Sequence, residues 1–588
     1  MGARNGWMGW AAAGAMLLWV APMGLAQDKT AAAKDQKVVV TGSPVTPPAT
    51  PTADSTTEGT VTVGGQAIAY KAVAGTLTVG STDAQDATLG FDGSLLPNAG
   101  VKPLDAEKPD EADATARIFY VAYFKKDAGA EQRPVTFLYN GGPGSATMWL
   151  HMGSFGPRRV VTPDTEHQEG APYKMVDNEY SLLDVSDLVF IDAPGTGFSR
   201  IFGKDKEKAF WGVDGDAHGF DRFIRKFLTK YERWNSPKYL LGESYGTPRS
   251  AVLSAVLENV DLNGIILLSQ ILSFDNSVDG SKWNPGIDQA YALALPTYAA
   301  TAFYHKKLPG QPAALDPFLK EVEQYAMGEY MSALLEGSEL PEVRKQAVAE
   351  KLHEYTGLPV ALLLKANLRI DGGVFAKDLQ LDEDTTTGRL DSRYKGPDMD
   401  PLSEEADYDP QSNALSAAYA AAINSYLRKD LKYGDQQTYI AALYDEPGFT
   451  WDLRHHAPNG PPATGQWSGT NVMPDLAYAM KSNPKMKVML AGGYYDLATP
   501  FFEGMFEMHH LPIPDKLQGN ISYHYYPSGH MIYVNEGVLK QFHADVAAFI
   551  RGRTAGSERL GQAGKPLSAP HVRAGMWGAF RLRQMYHG

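Results

Sequence analysis

The 588-residue chain reads as an α/β protein: a mostly parallel central sheet, helices on both of its faces, and a helical cap inserted late in the sheet order. Three observations predict this. Continuous apolar runs such as "VTFLY", "DLVFI" and "GIILL" lack the alternation of a half-exposed sheet, so they suit strands buried on both faces. Segments of helical period separate them, as an alternating strand–helix order requires. Gly and Pro are plentiful, at 58 and 38, which suits a loop-rich enzyme better than a bundle or coiled coil.

The elements follow in chain order. Residues 1–26 combine Arg4, an apolar stretch, and the small Gly24 and Ala26; they read as a signal peptide cut after Ala26. The other reading is an uncleaved anchor, for which the apolar run is short. Residues 27–60, rich in Pro, Thr, Ala and Ser, bury little apolar surface and are expected to form a disordered linker. "TVTVGGQAIAYKAVAGTLTV" then alternates around a Gly-Gly turn and reads as an antiparallel hairpin. The first part of the core is expected over 61–280, with strands at "ARIFYVAYFKK", "PVTFLYNGG", "DLVFIDAPGTG", "KYLLGES" and "LNGIILLSQILS". Between them "GFDRFIRKFLTKYERW" places Phe220, Phe223, Phe227 and Tyr231 on one helix face.

Residues 281–470 break that rhythm. Long helical patterns such as "LDPFLKEVEQYAMGEYMSALL" and "SNALSAAYAAAINSYLRKDL" alternate with acidic and Pro-Gly loops, and predict a cap or lid over the strand ends. The core resumes over 471–553 with strands at "MKVMLAGGYYD" and "ISYHYYPSGH" and a closing helix at "QFHADVAAFIRGR". Residues 554–588 form a Gly-rich, mildly basic tail.

Composition excludes several functions. The net charge is −14 and no long basic run occurs in the body of the chain, so nucleic acid is not an expected partner. There are no cysteines, which rules out disulfides, a thiol nucleophile and thiolate metal sites. The predicted leader implies export, to the periplasm or the medium, with no other membrane association.

The chemistry concentrates in "YLLGESYGTPRS". Gly242-Glu243-Ser244-Tyr245-Gly246 fits G-x-S-x-G between a strand and a helix. A serine on that sharp turn needs small neighbours so that the backbone can fold back on itself. Its hydroxyl then projects above the sheet, and the N–H of Tyr245 points at a developing oxyanion. Serine also needs a base. Asp496 follows "KVMLAGGYYD" and His530 follows "ISYHYYPSGH", both where loops leave strand ends and in the order Ser, Asp, His. Asp496 would orient the imidazole of His530 and stabilise its charged form. His524, His509, His510, His455 and His456 lack that context. Their doublets do not share a helix face and no H-E-x-x-H occurs, so neither metal nor cofactor is expected. "FLYNGGPGS" would supply the second oxyanion donor, the N–H of Gly142.

Taken together, "LYNGGPGS", "LVFIDAPGTGFS", "LLGESYG", "GGYYDLATP" and "YPSGHMIYV" resemble the serine carboxypeptidase family of α/β-hydrolases, from about Ala67 to Arg551 without the insertion. The resemblance implies an acid-acting exopeptidase with Ser244, Asp496 and His530 as its triad. It implies Gly142 and Tyr245 as the oxyanion hole, and Asn140 and Glu243 as the pair that hydrogen-bonds the free C-terminal carboxylate of a peptide substrate. Two neighbouring carboxylates repel unless one is protonated, so Glu243 should bind substrate best when protonated. Leu138 stands where the family has Trp. The elbow reads "GESYGTPR" rather than "GESYAG", closer to prolyl aminopeptidases, and the family's disulfides cannot form. These departures suggest a bacterial branch. An aminopeptidase or esterase on the same fold, and an inactive hydrolase-fold binding protein, stay open as alternatives.

Overall fold

The computed structural model describes residues 53–97, 112–257, 259–444, 446–458 and 470–552. The signal peptide read at 1–26, most of the linker and the 554–588 tail lie outside the described residues.

Strands are numbered in chain order. They are β1 (Ser55–Val63), β2 (Gln66–Gly80), β3 (Thr115–Lys125), β4 (Val135–Tyr139), β5 (Arg158–Val160), β6 (Met175–Asp177) and β7 (Asp187–Ile191). There follow β8 (Arg200–Phe202), β9 (Lys238–Glu243), β10 (Gly264–Leu268), β11 (Thr385–Thr387), β12 (Lys395–Pro397), β13 (Lys487–Gly493) and β14 (Ile521–Tyr526). The central sheet runs β1-β2-β3-β7-β4-β9-β10-β13-β14, with β8 paired to β3. From β7 to β14 every pairing is parallel, while β1, β2 and β3 are antiparallel to their neighbours.

β4, β7, β9 and β10 are buried at every position. That is why they read as unbroken apolar runs. Successive side chains feed opposite cores. Phe137, Leu240, Ile265 and Val488 join α1 (Val213–Lys230), α2 (Gly246–Val256) and helix Met473–Ser482 on one face. Leu138, Leu241, Ile266 and Met489 join the closing helix Glu536–Ile550 on the other. Phe220, Phe223 and Phe227 of α1 are fully buried as the spacing predicts, and Tyr231 lies just past the helix end.

Two sequence expectations need correction. β1 starts at Ser55, inside the segment read as linker, because "STTEGT" is rich in β-branched Thr and pairs with β2 from Ser55↔Ala74 onward. The hairpin turns on Gly64 and Gly65, at φ +56° and +79°. The insertion is also not confined to the strand ends. Its helices Gln289–His305, Leu315–Tyr325 and Glu342–Thr356 do build a core of their own, which includes Tyr495, Leu497 and Phe501 beside the Asp496 turn. Helix Pro410–Ser425, however, lays Leu415, Ala418, Tyr419 and Ile423 into the core on the sheet face. Its small residues let it approach closely enough to serve there. Among the described residues, no helix is long and apolar enough to cross a membrane.

Candidate active site

Ser244 follows β9 directly with φ +59°, a left-handed backbone that only a fixed environment holds in a non-glycine residue. Its N–H donates to Leu268 O at 3.0 Å. The flanking glycines are required by contact. A Cβ on Gly242 would lie 2.0 Å from Gly246 O, and one on Gly246 would lie 2.9 Å from Tyr139 O. The serine turn is therefore folded against both α2 and β4.

The other two positions expected to complete a triad lie on turns at the same end of the sheet. Asp496 follows β13 and His530 follows β14, in the parallel set that contains β9. Asp496 is fully buried. Its Oδ1 accepts from the N–H groups of Ala498 (2.9 Å) and Thr499 (3.0 Å), and its Oδ2 from Thr499 Oγ1 (2.7 Å). The same Oδ2 lies 2.7 Å from His530 Nδ1. A carboxylate can only accept, so the proton of that bond sits on Nδ1, and Nε2 is left as the basic nitrogen. Burial disfavours the imidazolium, but Asp496 by charge and hydrogen bond outweighs it, with help from Glu243, and the ring's pKa is raised. Ser244 Oγ makes no hydrogen bond to His530 among the described residues. Such bonds often tighten only with substrate bound.

The two segments expected to supply oxyanion donors are in contact. A Cβ on Gly141 would sit 2.3 Å from Tyr245 N and 2.6 Å from Gly246 N, so the 140–142 loop lies directly on the elbow. Gly142 adopts φ +104°. That loop is fixed from beneath by Arg249, a buried residue of α2. Its Nη1 donates to Asn140 O at 2.7 Å and its Nε to the buried Asp216 at 2.6 Å. Trp451 Nε1 donates to Tyr245 OH at 3.1 Å from the insertion.

Asn140 and Glu243 meet beside Ser244. Asn140 Nδ2 donates to Glu243 Oε2 at 2.9 Å, and Asn140 Oδ1 accepts from Leu150 N at 3.0 Å. Tyr533 OH donates to both Glu243 oxygens, at 3.1 and 2.9 Å. Burial pushes the Glu243 carboxyl up to about 7, despite its partners. Leu138 is buried in the sheet-face core.

The rival histidines do other work. His455 bridges Asp214 and Asp475 at 2.6 and 2.8 Å and is pushed up to about 9: burial opposes this, and the two carboxylates outweigh it. The N–H of His456 donates to Asp214 at 3.1 Å. His524 lies in β14, 3.4 Å from Asp545, while His509 and His510 close helix Phe501–His509. No group of three or more His, Asp or Glu side chains placed to hold a metal occurs among the described residues.

Sequence reasoning missed Tyr533, Thr499, Arg249 and Asp216. Tyr533 and Thr499 stand next to the motifs that flagged His530 and Asp496, and Arg249 within the elbow's "GTPR". Tyr533 and Arg249 have partners far away in sequence, which no local pattern reveals, whereas Thr499 bonds Asp496 only three residues before it.

The chain is similar to several known proteins. Residues 109–261 match the family model for serine carboxypeptidases. The chain is 26% identical over 264 residues to serine carboxypeptidase-like 16 of Arabidopsis thaliana, covering 42% of this chain and 57% of that protein. It is 34% identical over 165 residues to the pheromone-processing carboxypeptidase KEX1 of Saccharomyces cerevisiae, covering 26% of this chain and 21% of that protein. The alignments thus span little more than half of the first relative and about a fifth of the second. A crystal structure of the yeast KEX1 protein aligns over 81% of this chain and 91% of its own, with 14% identity and a TM-score of 0.41. With a sheet that is parallel from β7 to β14 and a left-handed serine turn between β9 and α2, the chain has the α/β-hydrolase fold, and its segment 109–261 is similar to the serine carboxypeptidase family.

Proposed function

We propose that this protein is a serine-type carboxypeptidase that releases C-terminal residues from peptides. The observation that carries this reading is the buried Asn140–Glu243–Tyr533 cluster beside the elbow serine. A carboxyl held near neutrality by burial donates a proton to a substrate's terminal carboxylate where an ionised one would repel it. The peptide then enters with its last bond over Ser244. His530 Nε2 takes the serine proton as Oγ attacks the carbonyl, and Asp496 stabilises the imidazolium. The N–H groups of Gly142 and Tyr245 receive the oxyanion. His530 returns its proton to the leaving amine, and water hydrolyses the acyl-enzyme by the same route in reverse.

The test is a matched pair of N-blocked dipeptides, one with a free and one with an amidated C-terminus, assayed with wild type and Ser244→Ala. The expected result is hydrolysis of the free-ended substrate only, and its loss by several orders of magnitude in Ser244→Ala. Hydrolysis of neither N-blocked substrate, with turnover of a dipeptide amide whose N-terminus is free or of a simple ester, would replace this reading with an aminopeptidase or an esterase. Failure of well-folded protein to react with a fluorophosphonate would replace it with an inactive binding protein. Export through residues 1–26, to the periplasm or the medium, belongs to the same proposal and is tested by N-terminal sequencing of protein from those fractions. So does the bacterial branch, supported by the missing cysteines and the "GESYGTPR" elbow; the relatives described above are plant and fungal.

A further inference from the structure

Asp496 and His530 sit on turns that leave two different strands, and something must hold those turns in register. A segment of the insertion lies between them. The N–H of Leu497 donates to Arg389 O at 3.1 Å, and the N–H of Ser392 to Tyr495 O at 2.8 Å, so residues 389–392 bracket the Asp496 turn. The N–H of His530 donates to Leu390 O at 2.6 Å, which ties the catalytic histidine's own backbone to the insertion.

Arg393 completes the link. Its guanidinium holds Asp391 (Nη2 to Oδ2, 2.6 Å) and Asp164 (Nη2 to Oδ1, 3.0 Å). It also donates to Pro527 O and Ser528 Oγ, both at 3.2 Å, on the turn that carries His530. Asp391 and Ser528 are fully buried and Arg393 is nearly so. Gly529 packs so tightly on this segment that an added Cβ would lie 2.3 Å from Asp391 Cβ. Behind it, Ser392 is anchored to the insertion through Thr301 Oγ1 (2.5 Å) and His305 Nε2 (2.6 Å).

We propose that residues 389–393 form a clasp that sets the His530 turn against the Asp496 turn, with Arg393 as a positioning residue for His530. The insertion thereby completes the triad rather than merely covering it. Arginine suits the role because its planar fork reaches two carboxylates and the Pro527–Ser528 turn at once, which a lysine cannot do. The proposal rests on the Ser-His-Asp reading of the site, and the test separates the two.

Wild type, Arg393→Lys and Ser528→Ala are compared by melting temperature, rate of fluorophosphonate labelling at Ser244, and kcat and KM on a free-ended dipeptide. Arg393→Lys should label at least ~10-fold more slowly, with kcat falling in parallel and KM within about twofold, since a displacement near 1 Å can cost on the order of 100-fold. Ser528→Ala deletes one acceptor and keeps the ion pairs; it should show the same split with a smaller loss, and it carries the test if the arginine variant does not fold. Labelling and kcat within about twofold of wild type in a folded variant would overturn the clasp, as would a loss confined to KM. Wild type that fails to label would instead overturn the triad reading.

Discussion

In the proposed function, Glu243 is the residue on which substrate choice turns. Its folded-state pKa of about 7 stands above the ordinary 4.5, first because it is buried. Substrate affinity should therefore fall as pH rises through about 7 and the carboxyl loses the proton it donates. In Glu243→Gln, KM should be flat across that window, and a profile unchanged from wild type would remove Glu243 from carboxylate binding. The stability consequence has the opposite sign to that of a salt-bridged acid. Between about 4.5 and 7 the folded protein keeps a proton the unfolded chain has lost, so this group makes stability decline as pH rises. Denaturant unfolding at pH 5 and pH 7.5 should show a smaller decline in the Gln variant. The sharp turn at Ser244 was legible because it lies inside a short motif whose backbone shape dictates its neighbours, while the pairing of Asn140 with Glu243 was suggested only by the family resemblance. Tyr533, which donates to Glu243, and Arg393 were not, because their roles depend on partners brought together only by folding.

At the scale of elements, the elbow and the oxyanion loop behave as one piece. β9 and β4 are adjacent and parallel, and the loops at their ends stack with no room for a side chain at Gly141. Gly141→Ala must push the 140–142 loop away from Tyr245 N, separating the two proposed oxyanion donors. We expect kcat to fall roughly 100-fold with circular dichroism unchanged. A kcat within about threefold would show that the loop can yield without moving the Gly142 amide. The strands that carry this unit were readable because burial on both faces leaves an unbroken apolar run, and the hairpin β1–β2 because Gly64-Gly65 marks its turn. The start of β1 was not, since a Ser/Thr-rich stretch suits a linker as well as an edge strand until its pairing partner is known. Helix Pro410–Ser425 was legible as a helix, but its alanine-rich surface did not say which core it would join.

For the whole molecule the question is whether the insertion is a lid that opens or part of the folding unit. Its core shares Tyr495, Leu497 and Phe501 with the segment around Asp496, its clasp binds both triad turns, and Trp451 reaches Tyr245. Elements joined through that many buried contacts should unfold together. Phe375 offers a probe far from Ser244 in the chain: it is fully buried and stacks on Tyr298 with ring centroids 4.1 Å apart. Phe375→Ala should cost about 3–5 kcal/mol and lower the midpoint of denaturant unfolding. If the insertion and the hydrolase core are one unit, far-ultraviolet dichroism, tryptophan fluorescence and fluorophosphonate labelling of Ser244 will report the same shifted midpoint. A hinged lid predicts otherwise: helical signal would be lost first, while Ser244 continued to label with the rate of the native protein. That separation of transitions would also undo the clasp, because a triad that survives melting of the insertion cannot depend on residues 389–393.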